Sequence, residues 1–89
     1  YSSAASDVYK RQRLALALVK LAEQHGLRAR LGVRINLRVT HQELANMIGA
    51  ARETTSALMS ELRHEGLIAY DHQHILICDL PSLRRLAGL

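Results

Sequence analysis

The stretch that decides the fold is THQELANMIGAARETTSALMSELRHEGLI, which runs from Thr40 to Ile68. It contains two short amphipathic segments separated only by Gly49, Ala50 and Ala51. A turn of that length sets two helices at a steep angle rather than flat against each other. The stretch therefore predicts a helix-turn-helix whose second helix carries polar side chains on its outer face.

The first helix of the motif has clear start and stop signals. Thr40 is followed three residues later by Glu43, just ahead of an apolar run, which is the pattern of a capping box. Gly49 ends the helix, because glycine adopts the left-handed conformation at a helix C-terminus at least cost. Helical spacing predicts an inward stripe made of Leu44, Met47 and Ile48.

The second helix is predicted from Arg52 to Glu65, with Gly66 as its stop. Thr55 lies where such motifs usually have Val or Ile, and it is β-branched as they are. The apolar residues of this helix recur at helical spacing and are predicted to face inward: Leu58, Met59 and Leu62.

Strand patterns lie on both sides of the motif. Residues 67–70 and 74–78 are predicted strands joined by the polar turn 71–73, and a hairpin directly after a helix-turn-helix makes a winged helix. Upstream, apolar and polar residues alternate over 33–40, which predicts a half-buried strand that could complete a small sheet with the hairpin. The expected fold class is α+β, a winged helix-turn-helix with a three-helix core, a small antiparallel sheet and a short C-terminal helix at 81–87.

Composition limits the chain to one small domain and favours a polyanionic partner. The 89 residues include twelve Lys and Arg, ten of them Arg, against eight Asp and Glu, so the formal net charge is +4. The three aromatic residues are all Tyr, so the stacking platforms of single-strand and RNA-binding modules are missing. Cys78 is the only cysteine and no apolar run approaches about 18 residues, so the sequence predicts neither an internal disulfide nor a membrane span.

The N-terminus differs from the rest of the chain. Residues 1–12, YSSAASDVYKRQ, have no hydrophobic periodicity, and we expect them to be a non-native or disordered leader. The winged-helix domain is then expected over residues 13–89, beginning with an apolar helix that Gly26 closes.

From Arg13 to Cys78 the chain resembles the C-terminal DNA-binding domain of the Crp/Fnr superfamily of bacterial transcription regulators. The most specific parts are VTHQELANMIGAARETTSALMSELRHEGLI and the hairpin after it. The resemblance implies double-stranded DNA as the partner, a homodimeric intact regulator that binds a palindromic operator, and RNA polymerase as a further partner. A dimerisation helix and a sensor precede this domain in the family, so we expect the fragment alone to be monomeric or weakly associated and the regulator to be cytoplasmic, with no cofactor in this part.

Residues that could read bases lie early on the second helix, because the N-terminal turn of a recognition helix points into the major groove. Arg52 can donate twice to guanine and Glu53 can accept from cytosine N4, and the resemblance assigns both to base contacts. Ser56 lies one turn further on the same face. Ala57 stands where the superfamily commonly has Arg, so a guanine contact is absent or specificity is shifted. The alternative for Arg52 and Glu53 is an exposed ion pair.

Phosphate contacts are expected at the start of the first motif helix and in the wing. Thr40, His41 and Gln42 open the helix, where backbone N–H groups and the dipole favour an anion, although Thr40 could serve only as a cap. His72 and Gln73 could meet the next phosphate from the wing, or they could be merely solvated.

Three rival functions are weaker. An enzyme would need a convergent nucleophile, base and orienting group, and the sequence shows no such set and no Gly-rich phosphate loop. A metal site would draw on residues whose spacing matches no closed zinc motif: His64, His72, His74 and Cys78. A protein-interaction module is the remaining alternative, since Ala57 replaces a basic reader, whereas Arg52 and Glu53 argue against it.

Overall fold

The computed structural model describes the backbone of residues 2–89 and the side chains of residues 8–89. Its helices are α1 (Ser2–His25), α2 (His41–Ile48), α3 (Arg52–His64) and α4 (Leu80–Leu86). Its strands are β1 (Gly26–Ala29), β2 (Gly32–Ile35), β3 (Ile68–Asp71) and β4 (His74–Ile77). The strands form one antiparallel sheet in the order β1-β2-β4-β3. This architecture confirms the predicted α+β winged helix-turn-helix.

One hydrophobic core joins all the layers of the domain. α1 contributes Leu14 and Leu18, which are fully buried, and the sheet and the other helices close around them. The largest side chains that these elements bury are Ile35, Leu44, Met59, Leu62, Ile68, Ile75, Ile77 and Leu83. Among the described residues, no helix is both long enough and apolar enough to cross a bilayer.

The ends of α2 follow the predicted signals. The Thr40 hydroxyl accepts the backbone N–H of Glu43 at 3.1 Å, and the Glu43 carboxylate accepts the backbone N–H of Thr40 at the same distance. Gly49 adopts the left-handed conformation, with φ of 72°. These caps fix where α2 begins and ends, and therefore the angle at which α3 leaves the turn.

Met47 does not belong to the inward stripe of α2. Leu44, Ala45 and Ile48 are buried, whereas Met47 is 46% exposed. The prediction that Met47 faces inward is therefore wrong. The buried arc of α2 is centred on the small Ala45, because α2 packs against both α1 and α3, and Met47 is left in a shallow surface cleft beside Leu16.

The predicted strand over residues 33–40 is also corrected. β2 ends at Ile35, and Leu37 beyond it is 41% exposed. The backbone leaves the sheet at Asn36, whose N–H donates to the carbonyl of His25 at 2.7 Å. β2 pairs with β4 of the hairpin, as predicted, and on its other side with β1, a strand that the sequence did not predict.

Gly32 permits the close pairing of β2 with β4. Its φ is 150°, and a Cβ built there would lie 2.0 Å from the carbonyl oxygen of Ile77. Any other residue would push the two strands apart, because a methyl group cannot approach a backbone oxygen so closely. The glycine therefore allows the wing hairpin to join the rest of the sheet.

α1 begins at Ser2, so the helix includes residues that we assigned to the leader. Arg11 forms ion pairs with Glu61 on α3 at 3.0 Å and with Glu65, which follows the last residue of α3. Gln12 lies 3.5 Å from the carbonyl oxygen of Ala87 at the end of α4. The domain boundary at residue 13, and the origin of residues 1–12, stay predictions.

Candidate nucleic-acid interface

α3 has one buried face and one open face. Leu58, Met59 and Leu62 are buried, as predicted, together with Thr55, which is fully buried. The open face begins with Arg52 and Glu53, continues through Ala57, and is exposed along that length. A helix anchored in this way presents its N-terminal turns outward, which is the arrangement needed to enter a groove.

Arg52 and Glu53 stand together at the start of α3. Their side chains are 57% and 81% exposed, and the Nε of Arg52 lies 4.0 Å from the Glu53 Oε1. That separation is longer than a hydrogen bond, so the guanidinium keeps its donors for another ligand. The exposed ion pair and the base-reading role are therefore compatible.

Thr55 fixes the first turn of α3 from inside. Its hydroxyl donates to the carbonyl oxygen of Ala51 at 3.0 Å, and its backbone N–H donates to the same oxygen at 3.0 Å. Ala51 caps the helix without a side-chain hydrogen bond, so the other backbone N–H groups of that turn have no partner from the cap.

The start of α2 is partly engaged in internal bonds. The Thr40 hydroxyl takes part in the capping box, and the Gln42 amide donates to the Asn46 Oδ1 at 3.1 Å. The backbone N–H groups of His41 and Gln42 are orphan donors of the first turn. An anion at this end of α2 would meet those N–H groups and the positive end of the helix dipole.

The wing is a two-residue hairpin turn between β3 and β4. Asp71 pairs with His74 across the ladder, and His72 and Gln73 between them both have positive φ, 51° and 69°. This is the type I′ geometry, for which Asn and Gly are the favoured residues. His72 and Gln73 therefore project from a strained tip at the outer edge of the molecule, where His72 is 91% exposed.

A hydrogen-bonded chain links the wing to both motif helices. His41 Nδ1 lies 2.7 Å from the Ser56 Oγ on α3, and His41 Nε2 lies 2.7 Å from the Tyr70 hydroxyl on β3. Both ring nitrogens are thus engaged inside the protein, so a phosphate contact by His41 would have to use its backbone N–H. Ser56 likewise has part of its hydroxyl capacity committed.

Tyr70 is the residue of this site that the sequence did not reveal. Burial raises the pKa of its phenol, and the Arg63 guanidinium, 5.6 Å from the ring centroid, partly opposes that rise. The phenol is therefore protonated at neutral pH. Its position in a predicted strand carried no functional signal, since the partner His41 is 29 residues away.

The residues weighed as metal ligands do not come together. His74 Nδ1 lies 3.1 Å from the backbone oxygen of His72, and His72 pairs with Asp71 at 2.7 Å. Within residues 8–89, no three potential His, Cys, Asp or Glu ligands form a group that could bind a metal ion.

Comparison with protein families places this geometry in a known group. The model of the Crp-like helix-turn-helix domain matches residues 12–86. The transcriptional regulator LdrP of Thermus thermophilus is 38% identical over 78 residues, which cover 88% of this chain and 40% of LdrP. The transcriptional regulatory protein btr of Bordetella pertussis is 34% identical over 77 residues, covering 86% of this chain and 32% of that protein.

Solved structures agree with the sequence comparisons. A Crp-family transcriptional regulator from Thermus thermophilus superimposes with a TM-score of 0.80 at 36% identity, over 90% of this chain and 40% of the other. The CO-dependent transcription factor CooA of Carboxydothermus hydrogenoformans gives 0.79 at 31% identity, over 86% of this chain and 36% of CooA. The chain thus spans between about a third and two fifths of the length of these relatives.

Proposed function

The chain belongs to the family of Crp-like helix-turn-helix domains and is a DNA-binding domain of the Crp/Fnr type, and we propose that α3 lies in the major groove of a palindromic operator. The observation that carries this proposal is the exposed start of α3. Arg52, Glu53 and Ala57 stand on its open face, while the opposite face is anchored in the core.

In this arrangement the base contacts come from α3. Arg52 donates to guanine, Glu53 accepts from cytosine, and Ala57 offers a methyl group to thymine. Ser56 is a minor contact, because its hydroxyl is already bonded to His41. The domain therefore reads fewer guanines than a relative with Arg at position 57 would.

The phosphate contacts come from the two regions that flank α3. At the start of α2, His41 and Gln42 present backbone N–H groups and the helix dipole to one phosphate, next to Thr40, whose own N–H is bonded to Glu43. The wing tip, His72 and Gln73, meets another. These contacts orient α3 but carry no sequence information of their own.

The intact regulator is proposed to be a cytoplasmic homodimer. A palindromic operator presents two half-sites one turn of DNA apart, which two copies of α3 would fill. RNA polymerase is a further proposed partner of the intact regulator. The 89-residue chain is then monomeric or weakly associated, and it binds a full operator poorly unless a coiled coil is fused to its N-terminus.

Selection from random duplexes tests the proposal. The fused dimer should enrich a two-fold symmetric site, and its affinity should fall with salt by about 0.9 log unit per log unit of salt for each phosphate neutralised. A protein-interaction module would enrich no sequence and show no such slope. If the fused dimer bound no better than the chain alone, the proposal of a dimeric regulator would be wrong. The proposal that α3 reads one half-site would still stand.

A further inference from the structure

Three separate elements meet at the ring of His41. The ring belongs to the first residue of α2, one nitrogen contacts Ser56 on α3, and the other contacts Tyr70 on β3. Both distances are 2.7 Å, and the His41 and Tyr70 rings are tilted by 40° with their centroids 6.3 Å apart. The ring is therefore fixed at both ends, between the helix proposed to enter the groove and the strand that leads to the wing tip.

This chain of bonds is complete whichever nitrogen of His41 bears the proton. A hydroxyl group can both donate and accept, so Ser56 and Tyr70 can each match a ring N–H or a bare ring nitrogen. When Nε2 is bare, Tyr70 donates to it and the Nδ1–H donates to Ser56. When Nε2 is protonated it donates to Tyr70, and the Ser56 hydroxyl donates to Nδ1.

The bond to Tyr70 acts close to the wing tip. Among the described strands β3 is an edge strand, paired with β4 alone, and Tyr70 lies two residues before His72. From α3, the Arg63 guanidinium also lies over the Tyr70 ring, at 5.6 Å from its centroid. The outer end of the wing is thus attached to α2 and α3 through one side chain.

We propose that Tyr70, through His41 and Ser56, fixes the position of the wing relative to α3 and is a positioning residue for DNA binding. The inference rests on the proposed function, since it concerns how groove and backbone contacts form together. In this role Tyr70 itself touches no DNA. Its hydroxyl keeps the wing tip where His72 and Gln73 can reach a phosphate while α3 stays in the groove.

The experiment is a double-mutant cycle on the 89-residue chain, measured at low ionic strength against one half-site of the operator that the fused dimer selects. The variants are Tyr70→Phe, a wing-tip variant carrying His72→Gly and Gln73→Gly, and their combination. Glycine suits the two left-handed positions, so the wing-tip variant removes side chains without adding strain. Tyr9→Phe, which removes a phenol from α1 that accepts from Arg13 at 3.0 Å, is the matched control.

Tyr70→Phe should weaken half-site binding by about 2- to 12-fold, the range of one hydrogen bond, and leave the base preference of the selected site unchanged. In the wing-tip variant, Tyr70→Phe should not weaken half-site binding further, because the contacts of His72 and Gln73 that Tyr70 positions are already gone. In the free Tyr70→Phe variant, residues 71–74 should show lower NMR order parameters than in the free wild type. Tyr9→Phe should bind as the wild type does.

Two results would overturn the inference. One is Tyr70→Phe binding as tightly as the wild type with unchanged order parameters in the wing. The other is a loss of binding free energy in Tyr70→Phe that adds in full to the loss in the wing-tip variant. Tyr70 would then contact DNA independently of the wing tip. Failure of the proposed function would look different, since the fused dimer would then select no symmetric site.

Discussion

Replacing Thr55 with Val should leave the free energy of unfolding almost unchanged, because the new methyl group contributes about as much as the hydrogen-bonded hydroxyl that it replaces. Thr55 is fully buried, and its hydroxyl donates to the Ala51 carbonyl at 3.0 Å. That carbonyl also accepts the Thr55 backbone N–H at 3.0 Å, so the substitution leaves no acceptor unpaired. Valine keeps the β-branched shape, so χ1 stays restricted in the helix.

Two opposing contributions decide the change in the free energy of unfolding. The hydrogen bond of the buried hydroxyl contributes about 0.5 to 1.5 kcal/mol after its desolvation is counted. The new methyl group contributes about 0.8 kcal/mol through burial. The two nearly cancel, so the free energy of unfolding should change by less than about 0.7 kcal/mol.

Chemical denaturation monitored by circular dichroism would measure the change, with Thr54→Val as control. Thr54 is the neighbouring threonine on α3 and is only half-buried, so its substitution should change the free energy of unfolding by less than about 0.5 kcal/mol. A destabilisation of Thr55→Val by about 1 kcal/mol or more would refute the reasoning. The hydroxyl bond to Ala51 would then contribute more than the methyl group that replaces the hydroxyl.

Four further predictions address the interface and the caps. Arg52→Ala should lower discrimination at one guanine in each half-site by about 1 to 3 kcal/mol without changing helical content; equal losses on specific and random duplexes would make Arg52 a phosphate contact. Ala57→Arg should create a new guanine preference at one base pair of the half-site in a selection from random duplexes, and a uniform rise in affinity on an unchanged site would count against α3 lying in the groove as proposed. Gln73→Gly should raise the free energy of unfolding by about 1 kcal/mol, because it relieves a left-handed φ of 69°; an unchanged denaturation midpoint would contradict that. Hydrogen bonds from Ser82 lower the pKa of Asp79 below its usual 3.8, so the ionised cap stabilises α4 above that pH and the stabilisation is lost on acidification. The difference in the free energy of unfolding between wild type and Asp79→Asn should therefore shrink as the pH falls below about 4. A constant difference would show that the charge of Asp79 plays no part.

Much of the fold could be predicted because its signals are local. Thr40 and Glu43 lie three residues apart, and the left-handed Gly49 follows directly on the helix that it ends. The wing hairpin needs only neighbouring segments to pair. The prediction that Met47 faces inward was wrong because the centre of a buried arc depends on where the other helices lie. Periodicity alone does not give their positions.

In the candidate site, too, the features with local sequence signals could be predicted and those that depend on distant contacts could not. Exposure of Arg52, Glu53 and Ala57 follows from helical spacing, so it was predictable. The contact between His41 and Tyr70 was not, because it joins a helix start to a strand 29 residues away and neither residue type requires the other. β1 escaped prediction for a related reason: its four residues, GLRA, bury neither face fully and so show no alternation.

β2 precedes the two motif helices and β4 follows them, so the ladder between Val33 and Ile77 encloses α2 and α3 in a single loop of chain. Closing that loop lowers the conformational entropy before any ladder bond forms, which favours docking of the helices on α1 first and joining of the strands last. Once the ladder is closed, the ends of that loop are held together, which lowers the entropy cost of keeping α2 and α3 docked on the core. We therefore expect α3 and the wing to unfold in one cooperative unit.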